Sequence, residues 1–326
     1  MAKYNLIIPQ TKRTNADLQR LQALPLVQKI ELTKRRIHQW ITTFNGNVYG
    51  AFSGGKDSTV LMDLIWQVDN TIPAVFSNTG LEYPEIVKFV LKLKKQGKPI
   101  EIIKPKITFK AVIDKYGYPV VSKEQSQFIR QYRNAKSEKT KHTRLYGNKH
   151  GRGKISDKHL YLLKAPFKIS DKCCEKLKKE PFYKYEKQTG RKPIIGTMAA
   201  ESQLRQQKWL MVGCNGFNSK RQMSTPMAFW TEQDVLNYIK INNLDYCKDV
   251  YGEIIEAKNN LQLDMFSEEH NEQQELKCSK VNRTGCMFCL YALEFETNEN
   301  DGENRFTKMK HTHPKIYDYC ISTYQR

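Results

Sequence analysis

One hexapeptide constrains this chain more than anything else in it: Ser53-Gly54-Gly55-Lys56-Asp57-Ser58. It follows directly on the β-prone run Asn47–Phe52 and leads into a helical pattern through Leu61, Leu64, Ile65 and Val68. The alternation continues, with Pro73–Ser77 reading as a strand, Pro84–Lys95 as a helix and Ile100–Lys104 as a third short strand. Strands alternating with helices imply a parallel sheet wound by crossover helices. The expected fold class is α/β, a parallel twisted sheet with helices on both faces, followed by a C-terminal cysteine-containing region.

At the carboxyl end of a strand, Gly54 and Gly55 open backbone angles closed to other residues and let main-chain N–H groups approach an anion. The helix N-terminus adds partial positive charge at the same spot. Lys56 can reach phosphate oxygens, Ser53 and Ser58 can hydrogen-bond them, and Asp57 can hold Mg²⁺. The spacing departs from G-x-x-x-x-G-K-[ST], so this is not a Walker-type loop.

Around this core, Leu18–Ile41 reads as helical and broken at Pro25, Lys192–Met198 as a strand, and Thr231 as the N-cap of a helix running to about Ile241. Lys136–Lys158 is polar and basic and reads as a mobile loop, and Glu253–Glu275 as an acidic insertion. These shifts suggest an N-terminal helical segment over 1–46, a nucleotide-binding core over 47–245 and a C-terminal region over 246–326.

The net charge is +20, and between Arg130 and Lys179 there are 16 Lys/Arg against 4 Asp/Glu. Such a field attracts polyanions, DNA, tRNA or phosphorylated small molecules, unless it is simply a solvated face. No apolar run approaches the roughly 20 residues that cross a bilayer, so no membrane partner is expected. Met1–Lys12 lacks the features of a signal peptide, and the expected location is cytoplasmic. In a reducing compartment, the eight cysteines point to a metal, a cluster or redox chemistry rather than disulfides.

SGGKDS resembles the pyrophosphate-binding loop of the adenine nucleotide α-hydrolase, or PP-loop ATP pyrophosphatase, superfamily. Ser77-Asn78-Thr79-Gly80-Leu81-Glu82-Tyr83-Pro84-Glu85 is similar to the "DTGxxxPE" segment of its phosphoadenosine phosphosulfate reductase branch, with Asn78 in place of the usual Asp. Cys173-Cys174 through Pro181 resembles the "CC…RK…P" stretch. Ile195-Gly196-Thr197 through Glu201-Ser202 and Arg205 resembles the substrate loop, with Met198 at an expected polar position. Pro226 to Val235 resembles the "P…W…DV…Y" segment. The resemblance implies ATP and Mg²⁺ at Ser53–Ser58, with Asn78, Thr79, Gly80, Glu82, Glu201 and Arg205 among the nucleotide-binding residues.

Cys286-Met287-Phe288-Cys289 offers two thiolates that can share a metal or a cluster, and Cys173 and Cys174 can supply two more. A 4Fe–4S cluster, a zinc site and unligated buried thiols all remain open from the residues alone. The "CC…CxxC" pattern resembles the cluster-binding one of adenylylsulfate reductases. Cys214 and Cys278 are reserve ligands or sulfur carriers, and Cys214 is the assigned candidate for a catalytic thiol.

Sulfonucleotide reductases carry a C-terminal "ECGLH" tail, which this chain lacks, and their phosphate loops usually depart from SGGKDS. The intact loop, with Lys56 and Asp57 as catalytic candidates, favours ATP. The features resemble most the DNA phosphorothioation sulfurtransferase, and a tRNA thiolase shares the logic. That resemblance implies cleavage at the α-phosphate, with sulfur drawn from a cysteine desulfurase or another donor. The alternatives are a sulfonucleotide reductase using Cys214 or Cys320, an ATP sulfurylase-like subunit, and a non-catalytic nucleic-acid-binding module with a structural metal.

Overall fold

The computed structural model describes residues 13–257, 275–291, 293 and 304–324. Most of the expected acidic insertion, 258–274, lies outside them. Among the described residues the strands are β1 (Val48–Phe52), β2 (Ala74–Ser77), β3 (Ile100–Ile103), β4 (Val120–Val121), β5 (Lys192–Ile195), β6 (Ile254–Glu256), β7 (Leu276–Cys278) and β8 (Leu290–Tyr291). The α-helices are α1 (Asn15–Gln22), α2 (Leu26–Thr43), α3 (Lys56–Val68), α4 (Pro84–Lys95), α5 (Phe109–Tyr116), α6 (Lys123–Arg133), α7 (Glu138–Tyr146), α8 (Glu180–Thr189), α9 (Gln203–Val212), α10 (Glu232–Ile241), α11 (Lys248–Tyr251), α12 (Arg305–Thr312) and α13 (Pro314–Tyr324). None of them is long and apolar enough to cross a membrane.

The chain divides into two compact units, neither continuous in sequence. The first takes the residues up to Phe76, Glu85–Ile102 and Glu186–Arg283; the second takes Ser77–Pro84, Ile103–Tyr185 and the residues from Thr284 on.

The first unit is built on a parallel sheet in the order β3-β2-β1-β5, flanked by helices. Successive side chains on a strand point to opposite faces. Val48 and Tyr49 are both fully buried, so both faces of β1 are covered. On one of them α3 packs so closely that a Cβ at Gly50 would lie 2.1 Å from Met62 Sδ. From β1 the chain steps to β2 on one side, and β5 later adds on the other. The carboxyl end of β1 is therefore the point where the strand order reverses, the place where open α/β sheets bind ligands.

Helices α2 and α10 are joined by a buried ion pair. Lys29 Nζ reaches Asp234 Oδ1 and Oδ2 at 2.8 and 2.7 Å, and Trp230 Nε1 donates to Thr33 Oγ1 at 2.8 Å. Thr231 caps α10 in a capping box with Asp234, as its position in the sequence leads one to expect.

The second unit has two apolar clusters. One gathers Phe128, Ile129, Ile155, Leu162 and Ile169. The other gathers Leu81, Val112, Leu177, Met287, Phe288, Met309 and Cys320 around Cys173. The first corrects the expectation of a mobile loop over Lys136–Lys158. That stretch holds α7 and a turn in which Ile155 N donates to Arg144 O at 2.8 Å. The basic residues here are partly internal: Arg144 stacks over the Phe128 ring at 4.3 Å, and Arg133, at the end of α6 just before the stretch, donates to the carbonyls of Leu162, Ala165 and Phe167. His159, just past this stretch, is buried.

Candidate functional site

The loop after β1 is shaped by its own side chains. Ser53 and Ser58 hydroxyls lie 2.9 Å apart, Ser58 Oγ donates to the Gly55 carbonyl at 2.9 Å, and Gly55 N donates to Ser53 Oγ at 3.3 Å. Gly54 sits at φ +72°, and a Cβ there would come within 2.7 Å of Ile86 Cγ2 and 3.0 Å of Val90 Cγ2. Both the turn and the packing of α4 therefore demand glycine. Gly55, as N-cap of α3, supplies no side-chain hydrogen bond to the first turn, whose acidic residue is Asp57.

Lys56 is 1% exposed, a rare position for a lysine. Its ammonium is held by Glu232 Oε1 at 2.9 Å, the Asn282 carbonyl at 2.8 Å and Asp57 Oδ1 at 3.3 Å, with the Tyr251 ring at 5.5 Å. Burial alone drives the ammonium pKa down; Asp57, Glu232 and Tyr251 together outweigh it and leave Lys56 above its ordinary value. Asp57 Oδ1 is buried and makes no hydrogen bond.

Arg205 is part of the same neighbourhood. Burial and the charge of Arg283 lower its pKa, and Asp57 opposes them. Arg205 also pairs with Glu201, whose other role is to accept the Met198 N–H at 2.8 Å. The first unit thus gathers Lys56, Asp57, Arg205 and Arg283 near one loop, a setting suited to a polyphosphate. Glu232, Tyr251, the Asn282 carbonyl and Arg283 have no part in the sequence expectation. Each is brought to the loop from a distant segment, and no local pattern reveals it.

The expected segment Asn78–Glu82 belongs to the second unit, and its polar groups are spent on its own turn. Asn78 Oδ1 accepts from Gly80 N at 3.1 Å; Glu82 accepts from Thr79 N at 3.0 Å and from Thr79 Oγ1 at 2.7 Å. An Asn serves the first contact as well as an Asp would.

Cys173, Cys174, Cys286 and Cys289, from segments more than a hundred residues apart, are within electrostatic range of one another in the second unit. Cys174 lies below its ordinary pKa, because Cys173 hydrogen-bonds it and Lys178, Lys123 and Lys179 supply positive charge. Cys173 is raised by the same hydrogen bond and by burial. Burial opposes the charge on Lys178, but Cys286, Cys174 and Glu82 keep its ammonium protonated. Among the described residues no group of three or more His, Cys, Asp or Glu is arranged to hold a single metal ion.

The other thiols are apart from these four. Cys214, in the first unit, is buried, which pushes its pKa up despite Arg36, Trp209 and Arg13 nearby. Cys278, on β7, is raised by burial and feels Lys56, Glu232 and Asp57. Cys320, in the second unit, is fully buried and pushed up to about 12.

Residues 47–290 match the model of the phosphoadenosine phosphosulfate reductase domain. No curated protein matches the chain. Among solved structures, a phosphoadenylyl-sulfate reductase from Candida auris in a phosphate complex is similar at 17% identity, over 73% of this chain and 91% of that one, with a TM-score of 0.39. An NH3-dependent NAD synthetase from Campylobacter jejuni, in complex with nitrate, shares 14% identity over 68% and 75%, with a TM-score of 0.34. An FMN adenylyltransferase from Candida glabrata, in complex with ATP, shares 12% over 79% and 80%, with a TM-score of 0.37.

Proposed function

We propose, from the premise that the chain belongs to the phosphoadenosine phosphosulfate reductase domain family, that it binds ATP with Mg²⁺ at Ser53–Ser58 and cleaves at the α-phosphate. The reaction it serves is ATP-dependent sulfur transfer to a nucleic acid. The observation that carries the reading is an intact SGGKDS loop at the strand-order reversal, with a helix N-terminus that has no side-chain cap and two arginines close by.

In this reading an acceptor oxygen attacks the α-phosphorus, the bond to the bridging oxygen breaks, and pyrophosphate leaves. A sulfur nucleophile then displaces AMP from the adenylated acceptor. Ser53, Gly54, Gly55 and Ser58 bind the phosphates, and Lys56, Arg205 and Arg283 stabilise charge on the departing pyrophosphate. Asp57 suits Mg²⁺, since its buried Oδ1 lacks a hydrogen bond. The metal would draw charge from the phosphates.

The four cysteines of the second unit would hold a 4Fe–4S cluster, one thiolate on each of four irons. Zinc at the same thiolates is the alternative. A cluster there would assist sulfur delivery, and Lys178 would offset the thiolate charge. The sulfur comes from a cysteine desulfurase or another donor. A sulfonucleotide reductase is less well supported, because Cys214 and Cys320, its candidate thiols, are buried and held protonated.

Pyrophosphate release from ATP tests the first step. Lys56→Met should lower it by about 100-fold or more with the far-ultraviolet spectrum unchanged; a fully active variant removes the assignment. Iron and sulfide analysis after anaerobic purification tests the second. About four of each per chain, lost in Cys286→Ser, supports the cluster, and one zinc or no metal refutes it.

A further inference from the structure

The basic stretch Arg130–Lys179 sorts into two populations. Arg130, Arg133 and Arg144 are spent inside the second unit: Arg130 on Asp171 at 2.8 Å, Arg133 on three carbonyls, Arg144 on the Gly153 carbonyl and the Phe128 ring. Lys139, Lys149, Arg152 and Lys164 are exposed and make no ion pair among the described residues. Between them in sequence stand two large aromatic side chains that the core does not use, Tyr146 at 67% and Tyr161 at 69% exposure. His142, one turn before Tyr146 on α7, packs against it with ring centroids 4.8 Å apart. Helix α7 itself buries no residue, although it is anchored to α6 through Arg144.

A purely electrostatic surface for duplex phosphates has no use for exposed tyrosine rings. Lysines that follow a backbone, interleaved with aromatic faces for unpaired bases, are what a single strand requires. We infer that α7, the turn after it and the short 3-10 helix Asp157–Lys164 form a binding surface for single-stranded nucleic acid, with Tyr146 and Tyr161 as stacking residues. The inference rests on the nucleic-acid acceptor proposed above and is independent of the ATP chemistry. It narrows that acceptor to unpaired nucleotides. The charge attracts acidic partners of every kind equally well; the aromatic rings select bases among them.

The test is fluorescence anisotropy on the full chain, with a labelled mixed-sequence 20-nucleotide strand, the same sequence as a duplex, and heparin as a polyanion without bases. The single strand should bind at least tenfold more tightly than the duplex and should not be displaced by heparin at equal charge. Tyr146→Ala and Tyr161→Ala should each weaken single-strand binding by about tenfold without changing the salt slope. Lys149→Gln with Arg152→Gln should instead flatten the slope of log K against log salt by about 1.4. Equal affinity for duplex or heparin, or wild-type binding by both tyrosine variants, overturns the inference. Binding of ATP with Mg²⁺, measured by calorimetry on the same samples without nucleic acid, separates the two readings. Its absence refutes the nucleotide site only, and its presence beside absent strand binding refutes this surface only.

Discussion

Gly54→Ala perturbs the loop at the point where its geometry is most constrained. Two independent costs follow from the structure. An L-residue at φ +72° is disfavoured by about 1–2 kcal/mol. The new methyl also falls 2.7 Å from Ile86 Cγ2 and 3.0 Å from Val90 Cγ2, both on side chains buried at 2% and 0% exposure, and overpacking of that kind costs about 1–3 kcal/mol. The expected loss is therefore about 2–5 kcal/mol, a large share of the stability of an ordinary domain. Urea unfolding followed by tryptophan fluorescence is a fitting assay, because Trp40, Trp66, Trp209 and Trp230 all lie in the unit that holds the loop. A double-mutant cycle separates the two costs. In an Ile86→Ala background the nearest clash disappears while the backbone cost stays, so Gly54→Ala should cost about 1–2 kcal/mol less there than in the wild type. The reasoning is refuted if Gly54→Ala lies within about 0.5 kcal/mol of wild type, or if its cost is the same in both backgrounds.

Two further outcomes concern the same unit. Lys29→Met leaves the Asp234 carboxylate without its cation and should destabilise by about 3–5 kcal/mol in urea unfolding; adding Asp234→Asn should recover part of it, and a loss under 1 kcal/mol contradicts the ion pair's role. Tyr246 is held above its ordinary pKa of 10, at about 12, by burial first and then by Glu253 and Cys278. A raised phenol favours its neutral form in the fold, so this contribution is intact below pH 10 and is lost as pH rises towards 12. Tyr246→Phe should lose about 1 kcal/mol near neutrality, from the hydrogen bond to the Gly252 carbonyl. Its urea midpoint should then fall less steeply than the wild type's between pH 10 and 12; parallel curves would show that Tyr246 does not carry the effect.

What was legible in the sequence is what local physics decides. Strand β1, the SGGKDS turn, α3, β2, α4 and the Thr231 cap of α10 each announce themselves within a few residues, through periodicity, glycine or a capping side chain. The convergence of the four cysteines was legible only through resemblance. Helix α7 was missed because its residues are polar on every face, so no apolar stripe marks it; Arg144 holds it in place through a ring and a carbonyl instead. The cage around Lys56 was missed for a different reason. Glu232 and the Asn282 carbonyl reach it only after the chain has folded, and a carboxylate at the start of a helix reads equally well as a dipole partner.

The strand order has a consequence for synthesis. β1 lies between β2 and β5, yet β5 follows it by about 140 residues. At roughly 5–20 residues per second, the ribosome leaves one side of β1 without its partner for about 7–30 s. For that time a strand that is covered on both faces in the finished protein is an edge strand, apolar on both faces and with unpaired backbone groups along its flank. Late completion of the sheet, rather than weak final packing, is then where the chain is most exposed to aggregation. Slowed translation between α4 and β5 would lengthen that exposure, and chaperones that cover apolar strands would matter most during it.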